Sequence, residues 1–435
     1  MRINWYNIGL FALMAAMLLA VALLNSWSSA LFILNFCLIA AVMSLGVNIQ
    51  WGYAGLLNVG IMGFVALGGV SATLVSIPPV HGAIEAGGGG ILLSILLTAI
   101  AIAAIFLAHR KLVGRTRIIT ITVISIISFF VIRHYFDPAV KAIEDFDSAN
   151  TGNLGGLNLP ILFGWVLGGC LAAVVAWMIG KVALGLRSDY LAIATLGISE
   201  IIIYILKNED WLTRGVKNVN GLPRPTTVPY EVDIQQSPYW IDMADRFGMS
   251  IIDLSSIIVK LSYAGLFAIV LLAILYLSEK ALASPWGRMM RAIRDNETAA
   301  EAMGKNVTSR HLQVFILGSA VVGIAGAMLT TLDGLFTPTT YQPLRFTFLI
   351  WVMVIVGGSG NNWGAVLGGF VIGFFWIEAE PIGLWLMELI TSGMADDSTL
   401  REHLLKSAAH MRLMTMGVIL LLVLRFRPKG LIPEK

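Results

Sequence analysis

Between Ala30 and Gln50 the chain runs through twenty-one residues without a single charge. Coiled as a helix, that stretch is about 31 Å long, close to the thickness of a bilayer's hydrocarbon core. Similar apolar runs recur at about 8–25, 53–76, 91–108, 117–133, 160–180, 187–206, 257–278, 312–332, 346–358, 364–380 and 411–425. In lipid every backbone N–H and C=O must be satisfied internally, so only helices and closed barrels can span. Barrel strands are about 10 residues of alternating polarity, and these runs are continuous. The chain therefore reads as an all-α, polytopic transmembrane helical bundle, 1–435 forming one transmembrane domain. The expected count is ten to twelve membrane segments, with half-helices or re-entrant pieces where 346–358 is short and 53–76 is broken by glycines. Composition agrees: 57% of the 435 residues are hydrophobic and 13% charged, against about a quarter charged in soluble domains. The N-terminal run lacks a clear small-residue cleavage site and is read as a first membrane helix or anchor.

Loop charge orients the runs. The loop 109–117 carries Arg110, Lys111, Arg115 and Arg117 and no acid. Lys181 and Arg187, the basic 279–311 loop, and Arg425, Arg427 and Lys429 fall on the same side. The other side receives 134–158 and 207–255, the latter with seven acids against five bases. Positively charged loops stay inside, so both termini are expected in the cytoplasm. The 207–255 segment, interrupted by four prolines, is expected to form an irregular cap over the outer mouth.

Against this background Ser284–Arg310 is an anomaly. It holds five Lys/Arg and three acids between two apolar runs. Ser284-Pro285 can start a helix. Asp295 or Asn296 can cap a short amphipathic helix, with Glu297 in its positively polarised first turn. Gly304 suits a left-handed stop, and Thr308 or Ser309 can cap the following span. The segment serves either as a solvated loop that only sets topology or as a helix shaped for another protein's groove.

Its residues Gly287-Arg288, Arg291-Ala292-Ile293-Arg294-Asp295-Asn296-Glu297 and Ala299-Ala300 through Met303-Gly304 resemble the coupling-loop signature of ATP-binding cassette (ABC) importer permeases, most closely the high-affinity branched-chain amino acid family of the LivM type. Further motifs follow in order: Gly52-Tyr53-Ala54-Gly55 with Asn58-Val59-Gly60, Arg187 through Gly197 with Glu200, Thr213-Arg214-Gly215 through Pro223, Val356 through Gly360, and Arg427 through Leu431. The stretch 77–158 has no counterpart in the resemblance. The family implies a subunit that moves branched-chain amino acids from periplasm to cytoplasm across the bacterial inner membrane. It also implies two cytoplasmic ATPase subunits holding ATP and Mg, a homologous second permease, and a periplasmic substrate-binding protein. Arg291, Arg294, Asp295 and Glu297 would make charged docking contacts, with Ala299, Ala300 and Met303 as apolar anchors.

Glycines at 52, 55, 60, 357 and 358 allow helix breaks, which membranes tolerate only beside protein or a water-filled cavity, or equally close helix packing. On the first reading they line the substrate path, with Tyr53 and Asn58 adding polar contacts and Tyr190 and Thr195 nearby. Glu200 lies eleven residues beyond Asp189, roughly 16 Å along a helix. A carboxylate at that depth is by default functional, or it is paired with a base. Asp333, Glu378 and Glu380 fall at outer span ends and are expected to be solvated.

No phosphate-loop motif is present, so the chain itself is not expected to be an ATPase or to carry a cofactor. Six scattered histidines suggest no metal site, no catalytic cluster argues for an enzyme, and the basic residues follow topology rather than a nucleic-acid face. Cys37 and Cys170 read as buried packing residues, not a disulfide. The rivals are a urea or short-amide permease of the same family and an ion-coupled secondary transporter acting through Glu200.

Overall fold

A computed structural model describes residues 5–148, 151–394 and 398–434. The described residues are mostly helical, and among them ten helices are long and apolar enough to cross a membrane. In chain order the principal helices are α1 (Trp5–Leu24), α2 (Trp27–Ala54), α3 (Ile61–Ser76), α4 (Gly89–Lys111), α5 (Gly114–Asp145), α6 (Ile161–Ala183) and α7 (Ser188–Asn208). The second half adds α8 (Ile251–Ala283), α9 (Pro285–Asp295), α10 (Glu297–Ala302), α11 (Val307–Asp333), α12 (Pro343–Gly357), α13 (Asn362–Thr391) and α14 (Met411–Phe426). Each apolar run of the sequence holds a helix, although residues 55–60 within the 53–76 run are not helical. The two runs expected to be broken are the short ones: α3 and α12 have 16 and 15 residues.

α2 and α11 form the centre and run antiparallel, crossing where Gly46 meets Gly318. A Cβ on Gly318 would lie 2.5 Å from the Gly46 carbonyl. Lipid tails give helices no hydrophobic reason to associate, so close backbone approach supplies the packing energy. α2 ends at Gly55 (φ +68°) and α11 at Gly334 (φ +65°). Both glycines take the left-handed cap conformation that a side chain would strain. Beyond each cap the chain passes through a short connection, residues 56–60 or 335–342, into a short helix, α3 or α12.

This correspondence extends further. Gly164-Trp165-Val166-Leu167-Gly168-Gly169 in α6 recurs as Gly364-Ala365-Val366-Leu367-Gly368-Gly369 in α13. Gly164 abuts Ala72 of α3 and Gly169 abuts Ile324 of α11; Gly364 abuts Gly357 of α12 and Gly369 abuts Ala41 of α2. The units α2-α3-α6-α7 and α11-α12-α13-α14 thus repeat one packing scheme in opposite directions, as inverted-topology repeats do. α4 and α5 form a hairpin set into the first unit only. It is anchored at one end by Ala83, Ile91, Ala139 and Ile143, with Trp211 packed against them.

Both described ends of the chain lie on the face that carries α9: Arg427 sits 5.5 Å over the Tyr6 ring. On the opposite face the 207–255 segment is more regular than an irregular cap. It forms short helices, chiefly Pro238–Phe247, and a two-residue strand that pairs Val219 with Phe336 and Asn220 with Leu335. Cys37 is buried as expected, but Cys170 lies on an exposed face of α6. Glu378 is buried, and Glu380 is paired with Arg412 at 2.7 Å, so neither is simply solvated.

Candidate functional site

The charged segment folds as two helices, not one. Ser284 caps α9 by accepting from Gly287 N at 3.4 Å, with Pro285 in the first turn. Asn296 breaks the run and caps α10 by accepting from Ala299 N at 3.0 Å. Gly304 follows at φ +77°. The next span is capped by Asn306, which accepts from Ser309 N at 2.9 Å, and not by Thr308 or Ser309. The amphipathic split is real but inward. Gly287, Met290, Ile293 and Ala300 are buried against the chain itself. Arg288, Asp295, Asn296, Glu297 and Ala299 are exposed, and Met303 projects at the tip with 79% of its surface free.

Arg294 ties this pair of helices to the body. Its guanidinium donates to the Gly52 carbonyl at the end of α2 and pairs with Glu434 of the C-terminal tail at 2.8 Å. The tail is laid in place by Leu431 N and Ile432 N, which donate to the carbonyls of Val356 and Gly357 at 2.9 Å each. Arg291, Arg294, Asp295, Ser359, Lys429 and Glu434 border an open, polar cleft of about 610 Å³ on this face.

Behind Arg294 lie two polar knots in otherwise apolar helices. In the first, Asn362 Oδ1 accepts from the Tyr53 hydroxyl and from Asn48 Nδ2 at 3.1 Å, and Asn362 Nδ2 donates to Glu279 at 3.1 Å. Gly360 N donates to Asn48 Oδ1 at 2.8 Å. In the second, Asn58 Nδ2 donates to Gln50 at 2.9 Å, and Gln50 donates to Ser319 Oγ at 3.0 Å. Gly60 N donates to Asn58 Oδ1 at 2.9 Å, and Val59 N to Thr195 Oγ1 at 3.1 Å. At this depth water cannot replace such partners, which makes satisfied networks rigid.

The structure therefore gathers Gly52, Tyr53, Gly55, Asn58, Gly60, Thr195, Gly357 and Gly358 around one end of the bundle, beside α9. Tyr53 and Asn58 are buried with their polar groups engaged inside the protein. Asp189, Tyr190 and Glu200 are not in this cluster; they lie on the exposed side of α7 with Ile193 and Tyr204. The sequence reading missed Asn48, Gln50, Ser319, Glu279 and Asn362. Asn48 and Gln50, two amides near the end of a charge-free run, were the available signal.

On the opposite face an apolar cavity of about 370 Å³ lies between α2, α11, α12, α13 and α14. Outside the spans, Arg224 and Glu231 of the cap form a two-pronged ion pair, with contacts of 2.6 and 3.1 Å. Burial alone would push the Glu231 carboxyl up, but the Arg224 hydrogen bond and charge outweigh it and hold it below the usual carboxylate range.

A family model described as branched-chain amino acid transport system / permease component matches residues 146–424. The chain is 25% identical over 268 residues to the high-affinity branched-chain amino acid transport permease LivM of Salmonella typhimurium, covering 61% of this chain and 56% of that protein. It thus spans little more than half of that relative's length. It is 25% identical over 401 residues to a probable LivM of Methanocaldococcus jannaschii, covering 91% and 90%. It is also 25% identical over 216 residues to LivH of Escherichia coli, covering 49% and 63%. No solved structure matches the chain.

Proposed function

The chain belongs to the branched-chain amino acid transport system permease family, and on that premise we propose that it is one permease subunit of an ATP-driven importer of branched-chain amino acids. The chain acts as a single transmembrane permease domain in the bacterial inner membrane, with α9, α10 and both termini in the cytoplasm. Two separate ATPase subunits bind ATP and Mg and dock on α9–α10. A homologous second permease completes the pore, and a periplasmic binding protein delivers substrate to the cap. No chemistry is performed by the chain itself.

The observation that carries this reading is the capped, exposed α9–α10 pair fixed through Arg294 to the end of α2. An ATPase groove closing on Met303, Ala299 and Glu297 would push a rigid lever whose far end is the central helix. Tyr53, Asn58 and the glycines around them serve the substrate path by holding its wall. Glu200, with Asp189 and Tyr190, faces the second permease, because a carboxylate in mid-span facing lipid is costly. The test is reconstitution of the complex in proteoliposomes. Glu297→Lys and Gly304→Pro are expected to abolish the ATPase stimulation caused by leucine-loaded binding protein while the subunit remains inserted. Unchanged stimulation in both variants would overturn the assignment.

A further inference from the structure

The cavity on the periplasmic side is built with more than apolar surface. Ile39, Met43, Ile350 and Met353 give it an oily wall, and two charged residues stand on it, Asp333 and Arg412. A volume of about 370 Å³ lies at the small-ligand end of pockets, which run from roughly 300 to 1,000 Å³.

The two charges are held differently, and each has capacity to spare. Asp333 is the last residue of α11, where unpaired carbonyls add partial negative charge. Its carboxylate has no hydrogen-bond or ion-pair partner among the described residues. Arg412 pairs with Glu380 at 2.7 Å and stacks 5.1 Å over the Trp376 ring, yet its Nε–H is buried with no acceptor. Arg345 stacks over the same ring at 5.3 Å. The Arg412 end thus holds two guanidiniums against one carboxylate, and the Asp333 end holds a lone carboxylate. A buried donor left unpaired is costly, the Asp333 carboxylate is exposed and unanswered, and a ligand with opposite charges would engage both. The cap also reaches this place. Leu335, on the cavity wall, pairs with Asn220, and Leu222 N donates to the Gly334 carbonyl at 3.1 Å.

We propose that this cavity is a binding site for a free hydrophobic amino acid, with Asp333 accepting from its ammonium, Arg412 Nε donating to its carboxylate, and the Ile39–Met43–Ile350–Met353 wall covering its side chain. The proposal rests on the reading of the chain as an amino acid permease and names the site within that reading. A fatty acyl chain would fill the oily wall but leave Asp333 unanswered. An amino acid amide lacks the carboxylate and an N-acyl amino acid lacks the ammonium.

The full-length chain in nanodiscs, probed with radiolabelled L-leucine, tests it directly. Saturable binding is expected, displaced by L-valine and L-isoleucine but not by leucinamide, N-acetyl-L-leucine or palmitate. Asp333→Asn and Arg412→Gln should each weaken binding at least tenfold, Asp333→Glu should retain it within about threefold, and Met353→Trp should exclude leucine before alanine. Absence of saturable binding by the unsubstituted chain, equal displacement by leucinamide or palmitate, or unaltered affinity in both charge variants would overturn the site. Intact leucine binding in a complete complex without ATP-driven uptake would instead uphold the site and overturn the importer.

Discussion

Replacing Arg294 with Ala should release the α9–α10 pair from the body of the protein. The side chain is mostly enclosed, with 24% of its surface free, and donates to the Gly52 carbonyl. A hydrogen bond from a charged donor contributes roughly 1.5–3 kcal/mol net. The Glu434 carboxylate, 27% free, adds about 0.5–1 kcal/mol on the scale of partly exposed pairs. Asp295, 69% free and 3.4 Å away, adds nothing that survives solvent screening. The loss is then about 2–4 kcal/mol, or roughly 30- to 1,000-fold in the ratio of docked to released loop. Hydrogen exchange of the amides between Trp286 and Ala302 reads this opening locally, without requiring global unfolding. Arg294→Ala should accelerate it by that factor, and Glu434→Gln by no more than about tenfold. Arg294→Lys, which keeps charge but loses the fork, should fall between them. Exchange that changes less than threefold in Arg294→Ala would refute the clamp. Equal acceleration in Glu434→Gln would show that the tail, not the α2 carbonyl, is the anchor.

Three further outcomes follow from the packing and charges. Gly68→Ala would place a Cβ 1.9 Å from the Gly323 carbonyl, an overpacking worth roughly 1–3 kcal/mol or more; it should lower the thermal midpoint in detergent, whereas Gly197→Ala, with open space around it, should not. Asn362→Ala strips partners from Tyr53, Asn48 and Glu279 at once. At about 1–3 kcal/mol for each buried group left unpaired, it should destabilise more than Asn361→Ala, which costs only a helix cap and a tail contact; equal melting shifts would count against the network. The Glu231 carboxyl is held below its unfolded value. Its contribution is therefore complete above the ordinary carboxylate range and is lost as pH falls through the folded value. Acid should loosen the cap in the unsubstituted chain, by proteolysis at 224–236, and have a smaller effect in Glu231→Gln.

Much of the fold was legible because lipid imposes a strict rule on the backbone. An apolar run long enough to span has to be helical, and each of the twelve runs holds a helix. The interrupted pair was legible too, since glycines at 52–60 and the short run at 346–358 mark where a full span could not form. The cap at Asn296 was legible: its backbone is extended (φ −156°) and its side chain accepts from Ala299 N, so it ends α9 and starts α10. Asn58 and the glycines were legible as breaks in apolar runs, but Asn48 and Asn362 were not, because they are 314 residues apart and meet only through the α2–α13 packing. Asp333 is exposed at its span end, as expected, but nothing near it in sequence reveals the cavity that Arg412 shares.

The repeated Gly-X-Val-Leu-Gly-Gly motif bears on ancestry. In the second unit only residues 358–361 separate α12 from α13, while in the first the α4–α5 hairpin stands between α3 and α6. A duplication that copied an already interrupted half would have left two hairpins. The hairpin was therefore gained by the first half, or lost from the second, after the doubling.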